Sequence, residues 1–137
     1  MALRVDLTFD CVRAQELAEF WKAALGYADE PPPPPFRTRE EWVASFGEPA
    51  EDAGGGAWLH DPEGLGPRLC FLEVPEPKVA KNRLHIDVRV GRYGDPWPRI
   101  LAKVEDLRAI GGRVVTTFDG HHVTMADPEG NEFCVAA

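Results

Sequence analysis

The chain has 137 residues, of which 44% are hydrophobic and 28% charged, and its formal net charge is −8 at pH 7. This length bounds it to one domain, or to two small halves that share a core. The acidic balance, with no run of lysine or arginine, argues against a nucleic-acid partner, and no apolar stretch reaches the roughly 18 residues of a membrane span. We therefore expect a cytoplasmic protein without a membrane partner, whose three cysteines include no Cys-x-x-Cys pair and suit a reducing compartment.

The chain begins with a predicted strand and a predicted helix. Residues 3–11 alternate apolar and polar side chains, which is typical of a strand with one buried face. Residues 13–25 carry apolar side chains at helical spacing, and Gly26 is placed to end that helix. A second strand is predicted to begin at Tyr27.

A proline-rich and aromatic insert follows at residues 30–54. Its five consecutive prolines, Pro31–Pro35, favour an extended polyproline segment, which is either a stiff spacer or a docking site for a partner protein. Thr38 is placed to cap a short helix over residues 38–46, with Glu41 completing a capping box. The aromatic side chains of the insert form either a lid over a cleft or a local hydrophobic cluster.

A hairpin and a second strand–helix series follow the insert. The predicted elements are hairpin strands at 57–60 and 68–74, a linker at 75–81, a strand at 83–90, a helix at 98–110 and strands at 113–118, 121–126 and 131–136.

The tetrapeptide Asp-Pro-Glu-Gly occurs twice, at Asp61–Gly64 and Asp127–Gly130, each time between two predicted strands. One copy alone predicts only a turn. Because both copies follow a matching strand–helix series, the pair indicates a duplicated structural unit. Alignment of the two copies makes these positions equivalent: Asp6 and His85, Trp58 and Thr124, His60 and Ala126, Cys70 and Cys134.

Three stretches of the sequence are characteristic of one protein family: Leu17–Trp21 with Leu25–Tyr27, Pro75–Lys78 leading into Asn82–Asp87, and Met125–Val135. On these motifs the chain resembles the glyoxalase-like branch of the vicinal oxygen chelate superfamily, which includes glyoxalases, bleomycin-resistance proteins and dioxygenases. The resemblance implies an α+β fold in which two βαβββ modules form an open, cupped, mixed sheet. We accordingly expect one domain over residues 1–137, made of modules 1–74 and 82–137, with the insert at residues 30–54 outside the resemblance.

In such a fold each helix covers the outer face of its module, and the opposite face lines a cleft. Side chains alternate along a strand, so an outward Val5 would place Asp6 in the cleft. By the same alternation, an outward Leu84 would place His85 there. A tryptophan in this cleft would give an organic ligand an aromatic wall. The candidate ligand-binding residues are Asp6, Trp58, His60, Arg83, Asp87 and Thr124.

The resemblance also implies positions for one divalent metal ion, which fall on Asp6, Cys70, His85 and Cys134. Two thiolates, one imidazole and one carboxylate would make a chemically plausible zinc set. Metal-binding relatives usually carry His and Glu at these positions, so only His85 follows their pattern, and Glu132 lies two residues before the place of their carboxylate. Buried free cysteines commonly serve as small apolar side chains. The metal-free interpretation is therefore favoured, and no cofactor is assigned.

Two function classes stay open for a small organic ligand. In the first, the protein is a lyase or isomerase of the glyoxalase type, in which His85, His122 and Glu132 move protons on a carbonyl-bearing substrate near neutral pH. In the second, it is a non-catalytic protein of the bleomycin-resistance type, which holds a drug or metabolite against Trp58. His121 is expected to face away from the cleft. The resemblance, and nothing else in the sequence, implies a homodimer.

Overall fold

The computed structural model describes residues 1–47 and 55–137, so the end of the predicted insert, residues 48–54, lies outside the described residues. The chain divides into two compact units. Unit 1 comprises Met1–Lys22 and Gly26–Glu76, and unit 2 comprises Ala23–Leu25 and Pro77–Ala137.

Each unit contains one four-stranded mixed sheet. The elements are, in chain order, β1 (Leu7–Cys11), α1 (Ala14–Leu25), β2 (Ala28–Asp29), α2 (Arg39–Ala44), β3 (Gly56–His60), β4 (Leu69–Glu73), β5 (Asp87–Arg89), α3 (Trp97–Ala109), β6 (Arg113–Phe118), β7 (His122–Ala126) and β8 (Glu132–Ala136). The strand order is β1-β4-β3-β2 in unit 1 and β5-β8-β7-β6 in unit 2. Among the strands in residues 1–47 and 55–137, only β1 with β4 and β5 with β8 pair in parallel. The predicted α+β class is thus confirmed.

The strands of the described residues form two hydrogen-bonded sheets of four, in agreement with a fold built from two βαβββ modules. The first and last strands of each series pair with each other, so each ladder is completed within its own unit.

Aromatic packing holds the core of unit 1 together. Trp21 of α1 lies 5.5 Å from the ring of Phe9, which in turn stacks 5.0 Å from Phe71 of β4. Trp21 and Phe71 are almost fully buried, and such large side chains dominate the energetics of a core. Gly26 ends α1 at φ 71°, in the left-handed conformation that suits glycine.

The core of unit 2 is aliphatic on its helix side. α3 buries Ile100, Val104 and Leu107, which are spaced by one helical turn each. The sheet contributes alternate residues of β7 and β8, including Met125 and Phe133, which are also fully buried.

The pairing registers of the two sheets correspond position by position. In unit 1, Thr8, Cys70 and Trp58 stand side by side across β1, β4 and β3. In unit 2, the corresponding row across β5, β8 and β7 consists of Asp87, Cys134 and Thr124. The predicted equivalences of Cys70 with Cys134 and of Trp58 with Thr124 are therefore confirmed.

The repeated tetrapeptide forms the same turn in both units. The Asp61 carboxylate accepts hydrogen bonds from the backbone N–H groups of Glu63, Leu65 and Gly66 at 2.8–2.9 Å. These hydrogen bonds hold the pKa of Asp61 below its ordinary value, and the bond from Gly66 has the largest effect on it. The buried Asp127 likewise accepts from two backbone N–H groups of its turn. The tetrapeptide thus serves a structural role in both places.

Two predicted strands begin later than expected. β1 begins at Leu7 and β5 at Asp87, so the alternating residues before them lie outside the sheets. Leu7 is the first residue with a ladder partner because β4 itself begins only at Leu69. The expected outward packing is wrong for Val5 and Leu84, whose side chains are 65% and 63% exposed.

The insert differs from its prediction in two details. The proline run is not extended throughout, because Phe36 N donates to Pro33 O at 3.1 Å in a turn. Thr38 caps α2 as predicted by accepting from Glu41 N, but the Glu41 carboxylate accepts from Arg37 N instead of closing a capping box.

Candidate functional site

One face of the unit 1 sheet carries the residues suited to ligand binding. Leu59 and Phe71 point to the opposite face and are fully buried, so alternation places Trp58 and Cys70 together on the candidate face. Trp58 is half-buried there. This face presents an indole, a thiol and, on β1, the hydroxyl of Thr8.

The insert helix α2 packs against Trp58. The indole of Trp42 meets that of Trp58 edge-to-face, with 5.5 Å between ring centroids. The guanidinium carbon of Arg39 lies 4.4 Å from the Trp58 ring and 4.8 Å from the Trp42 ring. Arg39 Nη2 also donates to the main-chain carbonyls of Glu30 and Pro31, at 2.7 and 3.2 Å. The insert therefore contributes directly to the surroundings of Trp58.

A network of charges borders this aromatic pair. Arg68 Nε and Nη2 donate to the two carboxylate oxygens of Glu30 at 2.6 and 2.5 Å, and Nη1 donates to Asp6 at 2.8 Å. The bidentate bond to Glu30 is the largest cause of the raised pKa of Arg68. Burial lowers the pKa of Arg39, whose side chain is only 17% exposed. Burial raises the pKa of the Cys70 thiol, so this thiol stays protonated at neutral pH.

Three residues of this network were not predicted from the sequence. Glu30, Arg39 and Arg68 are ordinary surface charges in a sequence pattern, and 38 positions separate Glu30 from Arg68. The one available signal was the charge of Glu30 and Arg39 within a short aromatic insert. Of the predicted ligand-binding residues in unit 1, Asp6 joins the network, while His60 lies opposite Ala28 at the β2 edge of the sheet.

The predicted metal ligands are engaged with other groups. The Asp6 carboxylate is paired with Arg68, and His85 Nε2 lies 3.0 Å from the amine of Lys81. The Cys134 sulfur lies 3.7 Å from the Thr124 hydroxyl. Within residues 1–47 and 55–137, no three His, Cys, Asp or Glu side chains are grouped so that they would hold a metal ion. The assignment of these four residues as metal ligands stays a prediction.

The predicted proton-transfer residues all belong to unit 2. Glu132 accepts from the backbone N–H of Asn82 at 2.9 Å, the largest cause of its lowered pKa. His122 stacks on Phe118 with 4.4 Å between ring centroids. His121 Nδ1 lies 2.5 Å from Nδ1 of His122, and the expectation that His121 faces away from the cleft stays a prediction.

The remaining predicted ligand-binding residues of unit 2 lie on or just before its strands. Asp87 is paired with Arg89 at 3.1 Å, and Thr124 stands beside Cys134 in the sheet. Arg83 is exposed and precedes β5. The roles of these residues stay predictions.

Solved structures share this architecture at low sequence identity. The fosfomycin resistance protein FosX from Mesorhizobium loti superposes with a TM-score of 0.65 at 10% identity, over 99% of this chain and 91% of that chain. A glyoxalase/bleomycin resistance protein/dioxygenase family enzyme from Burkholderia phytofirmans gives 0.63 at 11%, over 97% of both chains. A glyoxalase-related enzyme from Fulvimarina pelagi gives 0.62 at 15%, over 98% and 88%. Identities this low establish a shared fold and nothing more.

Sequence comparison is more specific about the family. No curated protein is significantly similar to the chain. Residues 6–136 match the model of the glyoxalase-like domain. The helices of the described ranges are all too short or too polar to span a membrane. Since the family model covers nearly the entire chain and the two four-stranded mixed sheets agree with it, the protein belongs to the glyoxalase-like domain family.

Proposed function

We propose that this protein binds a small organic molecule on the Trp58 face of the unit 1 sheet, with α2 forming one wall of the site. The observation that carries the proposal is the Trp42–Trp58 pair, in which the insert supplies one indole and the sheet the other. Small-molecule sites combine apolar and aromatic walls with a few polar groups that fix the ligand. Arg68 and Glu30 are the polar groups beside the indoles, and Arg39 lies against both rings.

In this proposal the protein holds its ligand without converting it. Cys70, the nucleophile nearest to Trp58 in the strand register, has a raised pKa and is a weak nucleophile at neutral pH. Of the groups bordering Trp58, Asp6 and Glu30 are already paired with Arg68. Binding to an aromatic surface requires none of these groups to react.

The experiment is a screen of small organic molecules by intrinsic tryptophan fluorescence of the full chain. Trp58→Phe is expected to weaken binding of a hit at this site by up to about fivefold, since stacking on an indole contributes on the order of 1 kcal/mol. Trp97→Phe, in α3 of unit 2, is the matched control and should leave the affinity unchanged. A hit that binds Trp58→Phe as tightly as the wild type would place its site elsewhere. Mass spectrometry of the recovered ligand must show it chemically intact.

A second candidate function is a lyase or isomerase that uses His85, with His122 or Glu132, for proton transfer. The contact of His85 Nε2 with the Lys81 amine favours it, because the ammonium can only donate, so a neutral imidazole carries its own proton on Nδ1 and can donate it to a substrate. Recovery of a converted ligand in the screen would support this candidate. His85→Ala should then abolish turnover while leaving the circular dichroism spectrum unchanged, and retained turnover would exclude His85.

We further propose a homodimer that works in the cytoplasm. The free cysteines Cys11, Cys70 and Cys134 are compatible with a reducing compartment. Light scattering coupled to gel filtration should give twice the mass of one 15.2 kDa chain, and a value for one chain would contradict the dimer. Fractionation of the host cell tests the location separately.

A further inference from the structure

The side chain of Arg39 lies against the Trp42–Trp58 pair, where the proposed ligand would bind. Its guanidinium contacts both indoles of the pair and donates to two main-chain carbonyls at the start of the insert. A guanidinium is a planar, delocalised cation that stacks on aromatic rings. The surface that Arg39 covers is therefore shaped for a group of this kind.

The helix that carries Arg39 is weakly anchored. α2 has six residues and none of them is buried. A helix this short is unstable without tertiary contacts. Besides the bonds of Arg39, the Trp42–Trp58 contact ties α2 to the sheet of unit 1. Segments with so few buried contacts open at low free-energy cost.

The charge balance determines which ligand an opened site would attract. With Arg39 in place, the two guanidiniums of Arg39 and Arg68 balance the carboxylates of Asp6 and Glu30. Without Arg39, a single guanidinium faces two carboxylates in a chain whose net charge is −8. Such a field favours cations and repels anions.

We infer that the site takes a planar organic cation, an amidinium or guanidinium on an aromatic body, which replaces the Arg39 side chain against Trp42 and Trp58. This inference rests on the proposed function, because it names the ligand class of the same site. Arg39 acts as an internal competitor, and the ligand must displace it before stacking. The apparent affinity of the wild type is reduced by the fraction of molecules in which Arg39 is in place.

Benzamidinium, benzamide and benzoate test this ligand class, since they have nearly the same shape and carry positive, zero and negative charge. Each is titrated into the full chain, with tryptophan fluorescence and the indole N–H signals in NMR spectra as readouts. Arg39→Ala removes the internal competitor and is expected to bind benzamidinium about tenfold more tightly than the wild type. The matched control is Arg37→Ala, which removes the same charge from an exposed position of the insert and should leave the affinity unchanged. Benzoate should bind to none of these proteins.

The outcomes separate this inference from the proposed function. If benzamide or benzoate binds at Trp58 as tightly as benzamidinium does, the cationic class is wrong and the small-molecule site stands. If Arg39→Ala and the wild type bind benzamidinium equally, Arg39 is no competitor. If no probe perturbs an indole signal in any variant, the inference fails, while the proposed function is decided by the screen. Should Arg39→Ala not fold, Arg39→Lys is the alternative variant. It keeps the positive charge but lacks the planar guanidinium that stacks on the indoles, so it is expected to bind benzamidinium more tightly than the wild type.

Discussion

Glu30 links the insert to the unit 1 sheet, and its replacement by glutamine tests the charge network directly. The substitution keeps the size of the side chain and one carbonyl oxygen but removes the negative charge. Arg68 then loses the charge of this partner and one of its two hydrogen bonds to position 30, while its ion pair with Asp6 remains. Arg39 also loses the nearby charge, 3.7 Å from its Nη2.

The expected loss in the free energy of unfolding follows from the exposure of the pair. A hydrogen bond to a charged group contributes about 1.5–3 kcal/mol when it is well buried, and an exposed ion pair contributes about 0–1 kcal/mol. The Glu30 side chain is 21% exposed and that of Arg68 is 40% exposed, so solvent screens the pair in part. We expect Glu30→Gln to lower the free energy of unfolding by about 1 kcal/mol.

Urea unfolding at pH 7 measures this loss, with circular dichroism and tryptophan fluorescence required to give coincident transitions. A double-mutant cycle of Glu30→Gln with Arg68→Met should give a coupling energy of about 1 kcal/mol. The control is Glu16→Gln, because the Glu16–Arg13 pair is 69% and 71% exposed and should contribute less than about 0.5 kcal/mol. A coupling energy indistinguishable from zero, or equal losses in Glu30→Gln and Glu16→Gln, would refute the reasoning.

Three further predictions concern the fold and the insert. Because the pKa of Glu132 is lowered, its contribution to stability is present above its ordinary pKa of 4.5 and is lost as the pH falls through the folded-state value. The free energies of unfolding of Glu132→Gln and the wild type should therefore differ at pH 7 and converge in acid. Parallel profiles of stability against pH would contradict this. Leu69→Ala should lower the free energy of unfolding by about 2–5 kcal/mol and Leu65→Ala by less than about 0.5 kcal/mol, since Leu69 is 1% and Leu65 86% exposed. Urea unfolding measures both losses, and equal losses would contradict the prediction. Thr38→Ala removes the cap of α2 and should speed amide hydrogen exchange in α2 without changing exchange in α3; unchanged exchange in α2 would mean that its contacts with Trp58 suffice to hold it.

The duplicated architecture was predictable from local pattern. The two turns are specified by Asp, Pro and Gly at fixed positions, and the hairpin register follows once each turn is placed. For that reason the equivalence of Cys70 with Cys134 was predicted correctly. Helix α3 was also predicted to within one residue at each end, because its buried side chains recur at helical spacing.

The candidate site was predictable only in part. Trp58 was identified because an aromatic residue alternates with apolar ones along a strand. The sequence did not predict that β1 begins at Leu7 and β5 at Asp87. An alternating pattern can continue along the sequence beyond the point where the neighbouring strand ends. The contacts of Arg68 depend on residues far away in the chain, and no spacing rule encodes a pairing across 38 positions.

The two halves of the duplication no longer carry the same chemistry at equivalent positions. Trp58 in unit 1 corresponds to Thr124 in unit 2, and Arg68, one residue before β4, corresponds to Glu132, at the first position of β8. An indole platform bordered by arginine therefore occurs once among the equivalent positions of the two sheets. Under the proposed function, two unaltered copies would bind two ligands per chain, whereas this divergence predicts one. A titration that saturates at one ligand per chain would show that the two halves of the chain differ in their ability to bind it.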